Sequence, residues 1–271
     1  MIFKKKAWGG YLISLFDSLA HPTLSENWPN MPNSSGFQKL SRQLKKNNFC
    51  GALAVGIWSV ENYSHHNFIR ECRKHPELVA IAGFAPNIHP TPAKALREIK
   101  ELGFAGIKIH PRFNKLDLEK NFRELEKTFE IARQLNLVVL FCTYYHCATP
   151  LYPGVDPLFV LVKLMKKSPQ VKVVLVHGGG VELMRYAELA RFNQNILLDL
   201  SLTIMKYPGS SLDLDLKFLF KNFDRRICVG SDFPEYSHSA LRKRFEYFSK
   251  GLTQAKKENI GFKNVLNFFQ K

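Results

Sequence analysis

Residues 173–180 read "VVLVHGGG", four apolar residues followed by a histidine and three glycines. A short apolar run rich in β-branched residues that stops at a glycine turn is typical of a buried β-strand. The same form recurs at 227–234, "ICVGSDFP", where the apolar residues lead into a glycine, a serine, an aspartate and a proline. Each stretch predicts a buried strand with a polar side chain just beyond its carboxyl end.

Apolar runs of this kind alternate with segments of helical periodicity along the whole chain. This alternation predicts repeated βα units, and eight units in one chain close into an α/β barrel of the (β/α)8 or TIM type. The 271 residues are 45% hydrophobic and can fill one large core, so we predict a single domain spanning 1–271. The predicted strands are 11–16, 52–57, 79–84, 106–110, 138–142, 171–177, 196–199 and 227–230.

The N-terminal sequence also has the outline of a signal peptide. "FKKK" at 3–6 is followed by the apolar stretch "AWGGYLISLF" and by "DSLA", which gives a charged start, an apolar middle and small residues at the end. We favour a strand here, because cleavage after Ala20 would remove the first strand of the barrel together with Asp17.

Composition narrows the expected partners and location. Lys and Arg number 39 against 23 Asp and Glu, a formal charge of +16, which attracts anionic molecules. The basic residues are dispersed and no nucleic-acid-binding motif accompanies them, so we expect a small anionic substrate rather than nucleic acid. No apolar run approaches the ~20 residues of a membrane span. Five cysteines without CxxC spacing favour the cytoplasm, and a homodimer is compatible with the sequence.

Polar residues cluster at the carboxyl ends of the predicted strands, where barrel enzymes carry their chemistry. Any one of them could be an N-cap or a hydrogen-bonded core residue. Together, imidazole, thiol and carboxylate groups form a ligand set suited to zinc or a similar divalent ion. The residues are Asp17 and His21 after the first strand, Lys108 and His110 after the fourth, then Cys142, His177, Asp199 and Asp232.

Four motifs in the same order resemble the amidohydrolase superfamily, and specifically its amidohydrolase-2 branch, which includes aminocarboxymuconate-semialdehyde decarboxylase and several lactonases. They are "FDSLAHP" (16–22), "GFAGIKIHP" (103–111), "VVLVHGGG" (173–180) and "ICVGSDFP" (227–234), and "NIGFKNVLNFF" (259–269) is similar to the closing helix of that branch. The resemblance covers nearly the whole chain and implies a metal-dependent barrel enzyme.

The resemblance also implies roles for individual residues. Asp232 matches an aspartate that binds the metal and accepts a proton, and His177 matches a histidine that binds the metal or acts as acid or base. Two positions depart from the family pattern: Leu19 stands where the first of two strand-one histidines is usual, and Cys142 stands where strand five usually ends in histidine. The predicted ligands of one divalent ion, with zinc the expected metal, are His21, Cys142, His177 and Asp232, with His146 as a further candidate from the following loop.

The metal prediction leaves an alternative open at Cys142. A cysteine is a competent zinc ligand once it is ionised. Free cysteines are also common as small buried apolar residues, and in that case the metal would be weak or absent.

Lys108, His110 and Arg112 are the candidate substrate-binding residues. Arg112 would hold a carboxylate or phosphate by two parallel hydrogen bonds, whereas the alternative is a solvated loop after the fourth strand. The aromatic and proline-rich stretch at 142–154 follows the fifth strand and is predicted to form either a lid or a packed surface loop.

The sequence therefore predicts a metal-dependent hydrolase that acts on an ester, lactone or amide bond of a small anionic substrate. Asp232 would take a proton from the attacking water, and His177 would stabilise the oxyanion or protonate the leaving group. Two alternatives stay open: a decarboxylase of the same family, and a catalytically inactive barrel that binds a ligand or partner, as the departures at Leu19 and Cys142 would allow.

Overall fold

Eight parallel strands form one sheet in which each strand pairs with the next along the chain. The computed structural model describes residues 6–7, 10–32, 34–60, 63–89, 91–144 and 155–270. The prediction of a (β/α)8 barrel is confirmed. The strands are β1 (Leu15–Ala20), β2 (Phe49–Val55), β3 (Leu78–Phe84), β4 (Gly106–Ile109), β5 (Val138–Cys142), β6 (Val173–Val176), β7 (Ile196–Asp199) and β8 (Ile227–Cys228).

Amphipathic helices follow the strands and cover the outside of the sheet. In the first of them the buried residues include Leu40 and Leu44, four positions apart and therefore on one face. Among the described residues no helix is both long and apolar enough to cross a membrane. The helices are α1 (Phe37–Lys46), α2 (His65–Cys72), α3 (Pro92–Glu101), α4 (Phe122–Gln134), α5 (Pro157–Lys167), α6 (Leu183–Arg191), α7 (Thr203–Lys206), α8 (Leu212–Asn222), α9 (His238–Ser249), α10 (Gln254–Glu258) and α11 (Asn264–Phe269).

The core has two layers because successive side chains of a strand point to opposite faces of the sheet. Ile107, Ile109 and Phe141 belong to the outer layer, which packs against the helices. The inner layer fills the barrel interior with apolar side chains, including Leu19, Leu53, Ile81, Leu140 and Val174. Below the rim the described part of the barrel interior is therefore mainly an apolar plug, and the polar groups gather at the carboxyl ends of the strands.

β8 and β1 close the barrel without a regular ladder between them. Ser18 N donates to Val229 O at 3.1 Å, and beyond the end of β8 Asp232 N donates to Leu19 O at 2.9 Å. His21 N donates to Phe233 O at 2.8 Å. This seam brings the chain segment that carries His21 beside the segment that carries Asp232.

The bounds predicted for the first strand, 11–16, are wrong. β1 begins at Leu15 and continues through Asp17 and Ser18 to Ala20. Both polar side chains are fully buried but have partners, since Asp17 accepts a hydrogen bond from Ser231 Oγ at 2.5 Å and Ser18 donates to Asp199 at 2.5 Å. A buried polar residue with a partner does not end a strand. The other predicted strands differ from the structure by a few residues at most.

Candidate active site

Five polar side chains from four strand ends form one buried group, which we call the rim cluster. Lys108 lies opposite Leu140 in the register of β4 and β5. Cys142 is two residues further along β5 and therefore faces the same interior, one step closer to the rim. Such a concentration of buried ionisable groups is typical of a functional site. The rim cluster consists of Lys108, His110, Cys142, His177 and Asp232, whose exposed fractions are 1, 4, 1, 3 and 5%.

His21 lies beside the rim cluster and faces Asp232. Its Nδ1 is 2.8 Å from Val55 O, and because a carbonyl oxygen only accepts, Nδ1 is the donor. Its Nε2 therefore points to Asp232 Oδ1 at 3.5 Å. Trp28 stacks on the imidazole with the ring centres 5.3 Å apart, and its own Nε1 donates to Glu235. The imidazole is thus fixed at one edge and one face.

The Asp232 carboxyl is ionised at neutral pH. Burial acts to raise its pKa, but the neighbouring His177 and His21 outweigh that effect and hold the pKa well below its usual range. The residue also has a left-handed backbone, with φ of 55°, a conformation that aspartate tolerates better than most residues. Both features suit a carboxylate held in a fixed direction.

His177 is oriented by a chain of hydrogen bonds that the sequence did not indicate. Its Nδ1 lies 3.0 Å from Ser201 Oγ, and that hydroxyl donates in turn to the Asp199 carboxylate. Asp199 also accepts from the backbone N of His177 at 3.2 Å. Nε2 of His177 is left for the rim cluster. Burial acts to lower the pKa of His177, but Asp232 and Cys142 raise it above its usual value.

A glycine turn holds His177 at the end of β6. His177, Gly178, Gly179 and Gly180 all have φ between 55° and 79°, the region that favours glycine. Thr143 Oγ1 accepts a hydrogen bond from Gly179 N at 2.7 Å and donates to Val176 O at 2.6 Å. Thr143 thus ties the turn to the strand before it and to β5.

Cys142 lies among the basic side chains of the rim cluster, which act on the pKa of its thiol. Burial acts to raise the pKa of its thiol, but His110 and Lys108 lower it well below the usual value. Burial lowers the pKa of His110 to about 4, so that imidazole is largely neutral near pH 7. Lys108 is then the main group that favours ionisation of the thiol, although burial lowers the pKa of its own amine.

Lys108 and Arg112 each have a buried nitrogen atom, Nζ and Nε respectively, without a hydrogen-bond partner among the described residues. The Arg112 guanidinium lies 5.2 Å from the centre of the Tyr144 ring, and that ring meets the imidazole of His177 edge-on at 6.2 Å. Lys206 Nζ donates to Tyr144 Oη at 2.7 Å. Arg112, Tyr144 and Lys206 therefore form a positively charged and aromatic surface next to the rim cluster.

Sequence reasoning missed Tyr144, Lys206 and the serine of the hydrogen-bond chain. The sequence did contain a sign of Tyr144, because this residue belongs to the aromatic stretch after the fifth strand, which was predicted to form a lid or a packed loop. Lys206 and Ser201 had none. His146 and most of the predicted lid, 145–154, lie outside the described residues.

The predicted metal ligands are only partly arranged for an ion. Two ligands of a tetrahedral zinc ion lie about 3.3 Å apart, so His21 and Asp232, at 3.5 Å, fit as a pair. Within the described part of the chain, however, no group of three or more His, Cys, Asp or Glu side chains is placed to hold a metal ion. Leu19 is fully buried in the apolar inner layer. The described residues therefore do not complete a metal site by themselves, and the four-ligand set stays a prediction.

Comparison with known proteins agrees with the motifs. A sequence model of the amidohydrolase family, in its amidohydrolase-2 form, matches residues 60–269. A search of curated proteins finds no match. The predicted resemblance to this branch is thus confirmed by the family model.

Three solved structures share the barrel over nearly the whole chain. A Pseudomonas putida protein assigned as a 2-pyrone-4,6-dicarboxylic acid hydrolase is 17% identical, with 94% of this chain and 97% of that chain covered and a TM-score of 0.68. The 5-carboxyvanillate decarboxylase of Sphingomonas paucimobilis is 13% identical, with coverage of 94% and 98% and a TM-score of 0.70. A zinc-bound amidohydrolase of Burkholderia multivorans is 12% identical, with coverage of 95% and 99% and a TM-score of 0.67. At these identities the similarity establishes the fold.

Proposed function

The chain belongs to the amidohydrolase family, in its amidohydrolase-2 branch, and on that premise we propose that it is an enzyme that hydrolyses an ester, lactone or amide bond in a small anionic substrate. The observation that carries the proposal is the rim cluster, where the buried Nζ of Lys108 has no hydrogen-bond partner among the described residues. Leaving a buried polar group unpaired costs about 1–3 kcal/mol, and more when it is charged. An anionic substrate would supply the missing partner.

The proton transfers of hydrolysis fall to Asp232 and His177. Asp232 would take the proton of the attacking water, and His177 would give its proton to the leaving group from Nε2. A carboxylate with so low a pKa is a weak base in the free protein. An anionic substrate would offset the cations that lower the pKa of Asp232, so substrate binding would itself strengthen the base.

The substrate would be held by the cations of the rim. Arg112, half-buried beneath the Tyr144 ring, is placed to bind a carboxylate from the open side, and Lys108 would bind an oxygen inside the barrel. No step is assigned to the zinc ion expected from the sequence, because the described residues do not complete its ligand set.

Decarboxylation is the second candidate reaction. It is favoured by the buried Lys108 ammonium, which could hold a carboxylate away from water, and by the raised pKa of His177. In this reaction the carboxylate leaves as carbon dioxide, and the carbon that keeps the bonding electrons takes a proton from His177. The fold similarity to 5-carboxyvanillate decarboxylase is compatible with either reaction.

A substrate panel tests the proposal. Purified protein is assayed with 2-pyrone-4,6-dicarboxylate and simple anionic esters for hydrolysis, and with 5-carboxyvanillate for release of carbon dioxide. Asp232→Asn should lower kcat/KM at least ~100-fold, whereas the matched control Asp215→Asn on α8 should leave it unchanged. Full activity in Asp232→Asn would contradict the assigned role, and binding without turnover of any compound would favour the inactive barrel.

A further inference from the structure

Lys108 is a lysine whose amine is buried inside the barrel without a hydrogen bond to the described residues. Its exposed fraction is 1%, and its Nζ has no hydrogen-bond partner in the described part of the chain. Its register partner Leu140 belongs to the apolar inner layer. Because burying an unpaired charge is energetically unfavourable, a lysine here needs a compensating interaction.

The charged groups that act on Lys108 are those expected around a metal. Burial lowers the pKa of the Lys108 amine, whereas Cys142, Asp232 and Asp199 act to raise that pKa and Arg112 acts to lower it further. Two of the three groups that act to raise it, Cys142 and Asp232, belong to the ligand set predicted for zinc. The ammonium therefore draws on anions that a divalent ion would need.

The change at Leu19 is consistent with this arrangement. Leu19 packs with the inner layer at zero exposure, so an apolar side chain fills the space where the family pattern has a histidine. A neutral nitrogen ligand is lost on one side of the barrel, while the amine of Lys108 lies among acidic groups on the other side.

We propose that the Lys108 ammonium takes the place of the catalytic metal ion in this chain and binds the carbonyl or carboxylate oxygen of the substrate directly. The ammonium supplies one positive charge and three hydrogen-bond donors, and in a water-excluded interior that charge stabilises a developing oxyanion far more than it would in water. This inference rests on the proposed function for the nature of the substrate. What it adds is the identity of the group that binds the substrate oxygen.

Metal binding tests the proposal without reference to turnover. Wild-type protein produced in zinc-supplemented medium should contain less than about 0.1 zinc ion per chain by elemental analysis. The double variant Leu19→His with Lys108→Met should bind zinc at least ~10-fold more tightly than wild type in a calorimetric titration. Lys172→Met removes a lysine outside the site and serves as the matched control. One tightly held zinc ion per wild-type chain would overturn the proposal.

Anion binding tests the second half of the claim, with malonate as the probe. Wild type should bind malonate with the same affinity before and after treatment with a chelator. Lys108→Met should bind malonate at least ~10-fold more weakly than wild type. The control Lys172→Met should bind malonate with the same affinity as wild type. Lys108→Met replaces a buried charge by an apolar chain of similar length and should unfold no more easily than wild type, which thermal unfolding checks. Absence of malonate binding, or equal affinity in Lys108→Met, would overturn the proposal.

The two proposals fail in different ways. Loss of both turnover and malonate binding on chelation would refute the metal-free site and leave the hydrolase in place. Malonate binding that depends on Lys108 and resists chelation, together with no turnover across the substrate panel, would refute the hydrolase and leave the ammonium site in place.

Discussion

Nε2 of His21 lies 3.5 Å from Oδ1 of Asp232, although the two residues come from opposite ends of the chain. Since Nδ1 of His21 donates to Val55 O, Nε2 directs either a proton or a lone pair at the carboxylate. A proton or another cation between the two atoms would stabilise the pair.

His21→Gln should shift the acid limb of the pH–rate profile. The imidazole is one of the groups that lower the pKa of Asp232, so its removal raises that pKa. The carboxylate base is then lost at a higher pH, and we expect the acid limb to move to higher pH. His66→Gln, at an exposed histidine paired with Glu98, is the control. An unchanged acid limb would mean that Asp232 is not the base.

His110 should make the fold less stable in mild acid. Burial lowers its pKa from 6.5 to about 4, so below pH 6.5 the unfolded chain binds a proton that the folded protein does not. Stability from this residue is complete above pH 6.5 and declines as the pH falls toward 4, by about 2 kcal/mol between pH 7 and pH 5. Denaturant unfolding of wild type and His110→Gln at both pH values measures the difference. Equal pH dependence of the two proteins would contradict the prediction.

Gly179→Ala should unfold more easily than the matched variant Gly209→Ala. Both glycines have φ near 80°, so both variants carry the same backbone strain of about 1 kcal/mol. A Cβ at Gly179 would lie 2.1 Å from Cδ2 of Tyr186, whereas at Gly209 it would meet nothing within 4 Å. We expect an extra loss of about 1–3 kcal/mol for Gly179→Ala, measured by denaturant unfolding. Similar losses in both variants would argue against the tight packing of the turn.

Ser201→Ala should lower kcat about 10-fold with little change in KM. The variant breaks the chain from His177 through Ser201 to Asp199 but keeps the backbone carbonyl of residue 201, which also faces Nδ1. Ser210→Ala, at an exposed serine, is the control. Rescue of activity by Ser201→Thr would support a positioning role, and a rise in KM alone would oppose it.

Arg112→Gln should weaken malonate binding by at least ~1.5 kcal/mol, or about 10-fold. The change removes one of 39 basic residues, so the electrostatic field of the whole protein is nearly unchanged. A loss of malonate affinity of this size would therefore indicate a direct contact between Arg112 and malonate. The exposed Arg123→Gln is the control, and the loss should shrink as ionic strength rises. A loss of a few tenths of a kcal/mol would identify Arg112 as loop surface.

The barrel was predictable because most of its strands can be recognised from a short local stretch of sequence. β5 and β7 have the predicted bounds, since each is a short, mainly apolar run buried on both faces. β1 was misjudged because Asp17 and Ser18 are satisfied by Ser231 and Asp199, at separations of 214 and 181 residues. A local pattern cannot reveal a partner so distant.

The site was predictable to the extent that barrel geometry gathers strand ends. Lys108, Cys142 and His177 were recognised because each follows an apolar run. Thr143 and Ser201 were not recognised, because a hydroxyl side chain has no sequence signature that separates a surface residue from one that orients a histidine. Their roles follow from hydrogen-bond directions that only the folded chain defines.

The seam between β1 and β8 has a consequence for the order of folding. Asp17 and Ser231 meet only after 214 residues of chain have been brought round to join their ends, which is among the largest entropic costs that contact formation meets in a domain of this size. We expect the seam to form late, and with it the approach of His21 to Asp232. A nascent or truncated chain that lacks the last strand would therefore carry most of the scaffold but no assembled reactive pair, so catalytic competence would arise only as the barrel is completed.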